Sequence, residues 1–133
     1  DKGALVGSAL TAKSLDGYGV LYLASMDGAD IGKSRRMLFL HLTAVSSQKL
    51  KYRSRSKNLV EDWGTPQRVV AAGRMDISIK NEGAANLKLW GCDLSGKRVE
   101  ELPLKKADGT ASFIAETVKD GKARYIVYEL AKP

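Results

Sequence analysis

The chain has 133 residues, of which 44% are hydrophobic and 28% charged, a composition that is typical of one ordered globular domain and excludes a disordered segment. Its single cysteine, Cys92, excludes an internal disulfide framework and any metal site built from several cysteines. The net charge of +7 favours a polyanionic partner such as nucleic acid or an anionic glycan. Like-charge repulsion that maintains solubility is the alternative explanation.

The sequence contains no run of about 20 apolar residues, which a membrane-spanning helix requires. Its first residues lack the basic start and apolar core of a secretion signal. We therefore expect Asp1 to be a mature or trimmed terminus, residues 1–133 to form a single domain, and a membrane not to be a partner.

Turn-forming residues recur at short intervals and separate segments that have strand character. The turns are Asp16-Gly17, Asp27-Gly28, Asn81-Glu82-Gly83, Ser95-Gly96, Asp108-Gly109 and Asp120-Gly121. Glycine supplies the positive φ of tight turns without steric cost. This rhythm predicts an all-β fold, a two-sheet antiparallel β-sandwich of the jelly-roll or Ig-like type with roughly eight to ten strands and no helix.

Eight segments are the predicted strands. They are Ala4–Leu10, Tyr18–Met26, Ser34–Val45, Arg74–Lys80, Leu87–Leu94, Arg98–Leu104, Thr110–Glu116 and Arg124–Leu130. A polar link through Lys13-Ser14 follows the first strand, and the second and third pair as a hairpin. In Arg74–Lys80, Met75, Ile77 and Ile79 alternate with polar residues, which predicts that these three point inward.

The segment Ser34–Val45 carries apolar residues on both faces of an extended strand. We therefore predict a central strand that is covered on both sides. A helix is the alternative, because leucine, methionine and alanine are good helix formers.

The sequence offers no catalytic constellation. His41, the only histidine, lies between two leucines in a predicted strand, and we interpret it as a structural histidine with satisfied hydrogen bonds rather than a catalytic one. Glu61-Asp62 and Glu100-Glu101 are neighbours that point to opposite faces of a strand, unlike a glycosidase pair. Asp27 and Asp30 could hold Ca²⁺, but turn formation explains them. We predict no catalytic residue, no metal site and no cofactor.

A basic stretch, Lys49–Lys57, has a lysine or arginine at every second position. In an extended conformation these side chains line one side and match a polyanion. We predict ligand binding by Lys51, Tyr52, Arg53 and Arg55, with the tyrosine ring stacking on a sugar or base. The alternative is a solvated edge strand whose charges prevent aggregation.

Five further aromatic residues could form a sugar-binding platform, but large aromatic residues in strands are more often core residues. They are Trp63, Trp90, Tyr22, Tyr125 and Tyr128. The Trp63-Gly64-Thr65-Pro66 segment predicts an ordered connection with the Trp63 ring packed beneath it.

Several short motifs resemble, in order, the C-terminal β-sandwich domain that follows the barrel in a group of uncharacterised bacterial glycoside hydrolase-like proteins. They are Ser25-Met26-Asp27-Gly28, residues 31–38 with Ser34-Arg35-Arg36, Leu42-Thr43-Ala44-Val45, Asp62-Trp63-Gly64 followed by Pro66, residues 93–99, and the closing strand 124–130. The chain departs from this family at Ser46-Ser47-Gln48-Lys49, where an Asn-Thr-Gly-like turn is usual, and in its basic stretch.

The resemblance implies a C-terminal fragment of a larger secreted or cell-envelope bacterial protein, periplasmic or extracellular. Its catalytic acids would lie on a preceding barrel. We therefore expect a non-catalytic accessory domain that packs against the catalytic domain and engages a polysaccharide, an anionic glycan given the basic stretch. One alternative is a β domain that binds nucleic acid or another polyanion, with nucleic acid as the less favoured partner. The other alternative is a purely structural domain without ligand.

Overall fold

The structure, a computed structural model, describes residues 4–133, so Asp1, the expected trimmed terminus, lies outside them. Within these residues the fold is all-β, with sixteen strands and one short 3₁₀ turn at Ala84–Asn86. The strands are β1 (Ala4–Val6), β2 (Leu10–Asp16), β3 (Val20–Ser25), β4 (Arg36–Leu42), β5 (Val45–Ser47), β6 (Lys51–Tyr52), β7 (Val60–Asp62), β8 (Arg68–Val70), β9 (Arg74–Lys80), β10 (Lys88–Cys92), β11 (Arg98–Leu102), β12 (Lys105–Ala107), β13 (Thr110–Glu116), β14 (Val118–Lys119), β15 (Lys122–Ala123) and β16 (Val127–Ala131).

The strands form several antiparallel sheets. The first sheet has the order β1-β2-β9-β13-β12 and the second the order β11-β10-β16-β4-β3. Three two-stranded ladders, β5-β8, β6-β7 and β14-β15, account for the strands beyond the eight to ten that we predicted. Their strands are only two or three residues long, too short for alternation to distinguish them from loops.

The core lies between the two five-stranded sheets. On β9, Met75, Ile77 and Ile79 are buried as predicted, because the polar residues between them point to the opposite face. Phe39 of the second sheet meets Phe113 of the first edge-on, with ring centroids 5.4 Å apart. Such aromatic pairs contribute about 0.5–1.5 kcal/mol beyond their burial, so this contact is a main link between the sheets.

The prediction of one strand over Ala4–Leu10 followed by a polar link is wrong. β1 ends at Val6, and the Gly7 N–H donates to the Leu10 carbonyl (2.7 Å), which closes a turn. Lys13, expected in the link, lies in the middle of β2 and pairs with Ala4 on one side and with Asp76 on the other. A strand with one face in solvent explains the error, because Lys13 of β2 is exposed while its neighbour Ala12 is buried.

The predicted hairpin of the second and third segments is present as β3 and β4. Its turn is fixed by Asp27, whose carboxylate accepts hydrogen bonds from the Ser25 hydroxyl (2.7 Å), the Ser34 hydroxyl (2.8 Å) and the Arg35 N–H (2.7 Å). These bonds hold the pKa of the Asp27 carboxyl well below its usual range, and the bond from the Arg35 N–H has the largest effect.

β4 is an interior strand rather than an edge strand, as predicted, because it pairs with β3 on one side and with the middle strand β16 on the other. The prediction that both of its faces are covered is wrong. Met37 and Phe39 are buried on its inner face, but Leu42 on the outer face is exposed. Both faces of β4 are apolar, and only one of them is fully covered.

Candidate polyanion-binding site

The basic stretch belongs to a ribbon of residues 44–71, here called the basic arm, which connects β4 to β9. In the part of the chain that the structure describes, its strands pair only with each other, in the ladders β5-β8 and β6-β7. Between the two ladders the Gln48 N–H donates to the Gln67 carbonyl (2.8 Å). Beyond β6, the Arg53 N–H donates to the Leu59 carbonyl (3.0 Å). The arm is therefore a two-stranded ribbon with residues 53–59 at its tip.

The root of the basic arm is tied to the two large sheets through Ala71. Its N–H donates to the Ala44 carbonyl (2.8 Å), and its carbonyl accepts the hydroxyls of Thr43 (2.7 Å) and Thr117 (2.8 Å). Thr117 follows β13, so the arm is fixed to both sheets at its base.

The four predicted ligand-binding residues, Lys51, Tyr52, Arg53 and Arg55, are all exposed. They do not form the predicted one-sided row. Only Lys51 and Tyr52 lie in a strand, and the register shifts between them. Lys49 and Lys57 have left-handed backbones, with φ of 63° and 55°. The basic residues therefore do not lie on one continuous extended strand, because turns interrupt the extension that alternation alone suggests.

The tip has its own local support. The hydroxyls of Ser54 and Ser56 both donate to the Asn58 side-chain oxygen, at 2.9 and 2.8 Å. The Lys57 ammonium lies 5.8 Å from the centroid of the Tyr52 ring, within range of a cation–π attraction. Polar contacts rather than a hydrophobic core thus shape the tip.

The arm concentrates the charge of the protein. Its 28 residues carry six basic and two acidic side chains, a net charge of +4 out of +7 for the whole chain. Within the described residues, no ion pair joins Lys49, Lys51, Arg53, Arg55 or Lys57 to an acidic side chain. Unpaired exposed cations on a projecting ribbon attract polyanions.

Trp63 is 76% exposed on the same ribbon, so the prediction that it packs beneath the loop is wrong. The next residue, Gly64, has φ of 71°, and a Cβ on it would lie 2.1 Å from the Gln48 carbonyl oxygen. The two backbones thus approach closely next to Trp63, and only glycine fits at position 64. The sequence analysis considered Trp63 for an exposed platform but favoured a packed position, although its place in a polar Asp-Trp-Gly-Thr-Pro segment was a signal for exposure.

The remaining aromatic residues have mixed positions. Tyr128 is buried, as a core residue should be, and Tyr125 is half-buried. Trp90 is half-buried under the Arg98 guanidinium, 5.1 Å from its ring. Tyr22 is 55% exposed on the outer face of β3, so the core interpretation is wrong for it.

His41 is fully buried on the inner face of β4, so its interpretation as a structural residue fits its position. The expected hydrogen bonds are absent, because neither ring nitrogen has a partner among the described residues. Two glycines make space for the ring: a Cβ on Gly19 would lie 2.7 Å from Nε2, and one on Gly73 would lie 3.2 Å from it. Burial lowers the pKa of the imidazole.

The acidic pairs of the sequence lie on the surface. Glu100 accepts from the Tyr125 hydroxyl (3.0 Å) and pairs with Arg124 (3.3 Å), whereas Glu101 pairs with Lys88 (3.1 Å). Within residues 4–133, no group of three or more His, Cys, Asp or Glu side chains is placed to hold a metal ion.

No helix in the described part of the chain is long and apolar enough to span a membrane. Comparison with protein-family models, with curated proteins and with solved structures finds no match for this chain.

Proposed function

We propose that this chain is a non-catalytic accessory domain that engages an anionic glycan through its basic arm. The observation that carries this proposal is the exposed, unpaired cluster of cations on a ribbon that pairs with neither large sheet. The packing of the two five-stranded sheets supports a two-sheet antiparallel β-sandwich of the jelly-roll or Ig-like type. The motif resemblance alone supports attachment to a secreted or cell-envelope glycoside hydrolase-like protein of bacteria.

In this proposal Lys51, Arg53 and Arg55 contact carboxylate or sulfate groups of the glycan, and Tyr52 stacks on a sugar ring. Arginine suits this role because its planar guanidinium donates two parallel hydrogen bonds to an acidic group. Trp63 supplies a second exposed ring on the ribbon.

The test compares the wild-type protein with a Lys51→Ala/Arg53→Ala/Arg55→Ala variant, using calorimetric titration with polygalacturonate and heparin. We expect affinity for these polymers to fall by at least about tenfold, which corresponds to about 1.4 kcal/mol. The matched control is Lys13→Ala/Lys80→Ala/Lys122→Ala, which removes three exposed charges outside the arm. Unchanged affinity in the arm variant, or equal loss in the control, contradicts the proposal.

The second candidate is binding of single-stranded nucleic acid, which the pairing of exposed rings and cations on one ribbon also favours. An oligonucleotide titration at about 50 and 200 mM salt separates the two candidates, because phosphate contacts give a steep salt dependence. Absence of oligonucleotide binding at the lower salt concentration eliminates this candidate. Absence of binding to every polymer leaves a purely structural domain.

Packing against a catalytic domain is supported by an apolar strip on the outer face of the second sheet. Val20, Tyr22 and Leu42 are exposed there, beside the half-buried Leu38 and Leu40. In the full-length protein, the double variant Tyr22→Glu/Leu42→Glu should lower the melting temperature of the catalytic domain. In the isolated chain, the same variant should have the same melting temperature as wild type. An unchanged melting temperature in the full-length variant contradicts this packing.

A further inference from the structure

One edge of β13 is only half covered. The short strand β12 pairs with residues Thr110 to Ser112, and no other strand within residues 4–133 pairs on that side with the remainder of β13. On its other side, β13 pairs with β9 along its whole length. The second half of β13 is therefore a free strand edge, and this location is far in sequence from the basic arm.

The direction of the backbone groups on this edge follows from the pairing of β9. The Lys80 N–H donates to the Ala9 carbonyl (2.8 Å), on the β2 side. The N–H and C=O groups of successive residues in a strand point to opposite sides. The even-numbered residues of β9 therefore hydrogen-bond toward β2, and the odd-numbered ones hydrogen-bond toward β13. The pairs Ile77–Phe113 and Met75–Ala115 are thus the hydrogen-bonded ones. Ile114 and Glu116 consequently direct their N–H and C=O groups to the uncovered edge.

Ile114 and Glu116 differ in whether their backbone N–H and C=O groups have hydrogen-bond partners. The Tyr128 hydroxyl accepts the Glu116 N–H (3.1 Å) and lies 3.2 Å from the Glu116 carbonyl oxygen, to which it donates. Ile114 has no such substitute. The register of Lys105 with Ser112 would place Pro103 opposite Ile114. Proline has no N–H, and no hydrogen bond joins these two described residues. Ile114 thus presents an unused donor and an unused acceptor.

A cleft of about 650 Å³ opens beside this edge. Leu89, Leu102, Phe113, Tyr125 and Tyr128 give its lining an apolar component, and charged side chains such as Lys105 and Lys119 also line it. The Tyr125 ring lies against Gly91, where a Cβ would come within 2.5 Å of the ring, and its hydroxyl donates to Glu100. The cleft thus has a fixed aromatic wall next to the open backbone groups.

We propose that this cleft binds an extended segment of a partner polypeptide, which adds a short strand to the edge of β13. One residue of the segment exchanges two backbone hydrogen bonds with Ile114. Its two neighbours point in the same direction as Phe113 and Ala115, toward the apolar lining, because side chains alternate along a strand. The sequence recognised is therefore apolar–any–apolar. Tyr128 limits the added strand, since its hydroxyl already occupies the backbone groups of Glu116.

A polypeptide fits this site better than a glycan for a geometric reason. The open groups are a main-chain donor and acceptor of one residue in a strand, which another strand matches directly. Strand addition also explains why an apolar cleft and a free edge occur together, because main-chain bonds give affinity and pockets for alternate side chains give specificity. No described residue of the basic arm lines the cleft, so glycan binding and peptide binding can be tested separately.

The test uses a synthetic peptide, acetyl-Thr-Val-Thr-Val-Thr-amide, and the same peptide N-methylated at the central threonine. In ¹H–¹⁵N spectra of the isolated chain, we expect saturable shifts at residues 113–115 with the first peptide at millimolar concentration. The methylated peptide, which lacks the central N–H, should lose at least tenfold in affinity. No saturable shift, shifts confined to the basic arm, or equal affinity of the two peptides overturns the proposal.

A variant tests the same site from the protein side. Ile114→Pro removes an N–H that makes no internal hydrogen bond, and proline is tolerated at free edges of sheets. We expect this variant to fold and to lose peptide binding, whereas Ile114→Thr keeps both. If Ile114→Pro does not fold, hydrogen exchange of the wild-type chain decides instead. The Ile114 amide should exchange much faster than those of Phe113 and Ala115, and equal protection overturns the proposal.

Discussion

The paired sheets and the basic arm are built from the same kind of strand but are held by different forces. Between the sheets, Phe39, Phe113 and Tyr128 form a cluster in which every pair of ring centroids lies within 6 Å. In the arm, every residue from Lys51 to Leu59 is exposed, and hydrogen bonds within the ribbon determine its shape. Substitutions in the sheets should therefore change stability, and substitutions in the arm should change binding with little effect on stability.

The largest expected effect tests the sheet side of this contrast. Phe39→Ala removes a fully buried ring that contacts both Phe113 and Tyr128, and truncations of this kind cost about 3–5 kcal/mol. Denaturant unfolding should show this loss, whereas Trp63→Ala in the arm should cost less than about 0.5 kcal/mol. Equal losses in the two variants would mean that the arm shares the core.

A smaller effect is expected at Glu129, whose side chain is nearly buried between Arg36 (2.6 Å) and Arg98 (2.8 Å) on the outer face of the second sheet. Hydrogen bonds from Arg98 and then Arg36 lower the pKa of its carboxyl. Glu129→Gln keeps the shape and removes the charge. We expect a loss of about 1–3 kcal/mol at pH 7, since both arginines remain partly exposed.

The pH dependence of this loss has a defined sign. Because the folded pKa of Glu129 is lowered, its contribution is complete above the unfolded value of about 4.3 and disappears as the pH falls through the folded value. The difference between wild type and Glu129→Gln in unfolding free energy should therefore shrink below about pH 4. A constant difference at all pH values would contradict the lowered pKa of Glu129, because it would mean that its carboxyl titrates alike in the folded and unfolded chain.

How much of the fold and of the candidate sites could be predicted from the sequence depends on how far apart in the chain the interacting residues are. Alternation in one segment predicted the inner face of β9, and an adjacent turn predicted the β3–β4 hairpin. The free edge at Ile114 depends on pairings between β2, β9, β12 and β13, whose register no local pattern encodes. The five basic residues of the stretch Lys49–Lys57 were visible, but the turns at Lys49 and Lys57 that break their row require left-handed backbones that lysine rarely adopts.

The third prediction concerns His41, which lies near the boundary between the sheets and the arm. Its ring lies against Gly73, two residues after the end of the arm. Burial is the sole cause that lowers its pKa.

The sign follows from proton binding. The unfolded chain protonates His41 below about pH 6.5 while the folded chain does not, so unfolding free energy should fall by up to about 1.4 kcal/mol per pH unit between pH 6 and the folded pKa. His41→Leu should remove this slope between about pH 5.5 and 6.5, above the range in which the carboxylates titrate. A slope that persists in the variant would contradict the assignment, because the chain has no other histidine.

The smallest expected effect on stability concerns the tip of the arm and completes the contrast. Tyr52 and Val60 are directly paired, so residues 53–59 can be replaced by Asn-Gly, which forms a two-residue turn whose twist suits a hairpin. No residue removed is buried, and we expect the unfolding free energy to change by less than about 0.5 kcal/mol. The same variant loses Arg53, Arg55 and Lys57, so its affinity for polygalacturonate should fall strongly while its strand addition at Ile114 is unchanged. Retained polymer affinity would place the anion contacts elsewhere, and a large loss of stability would show that the tip supports the sheets after all.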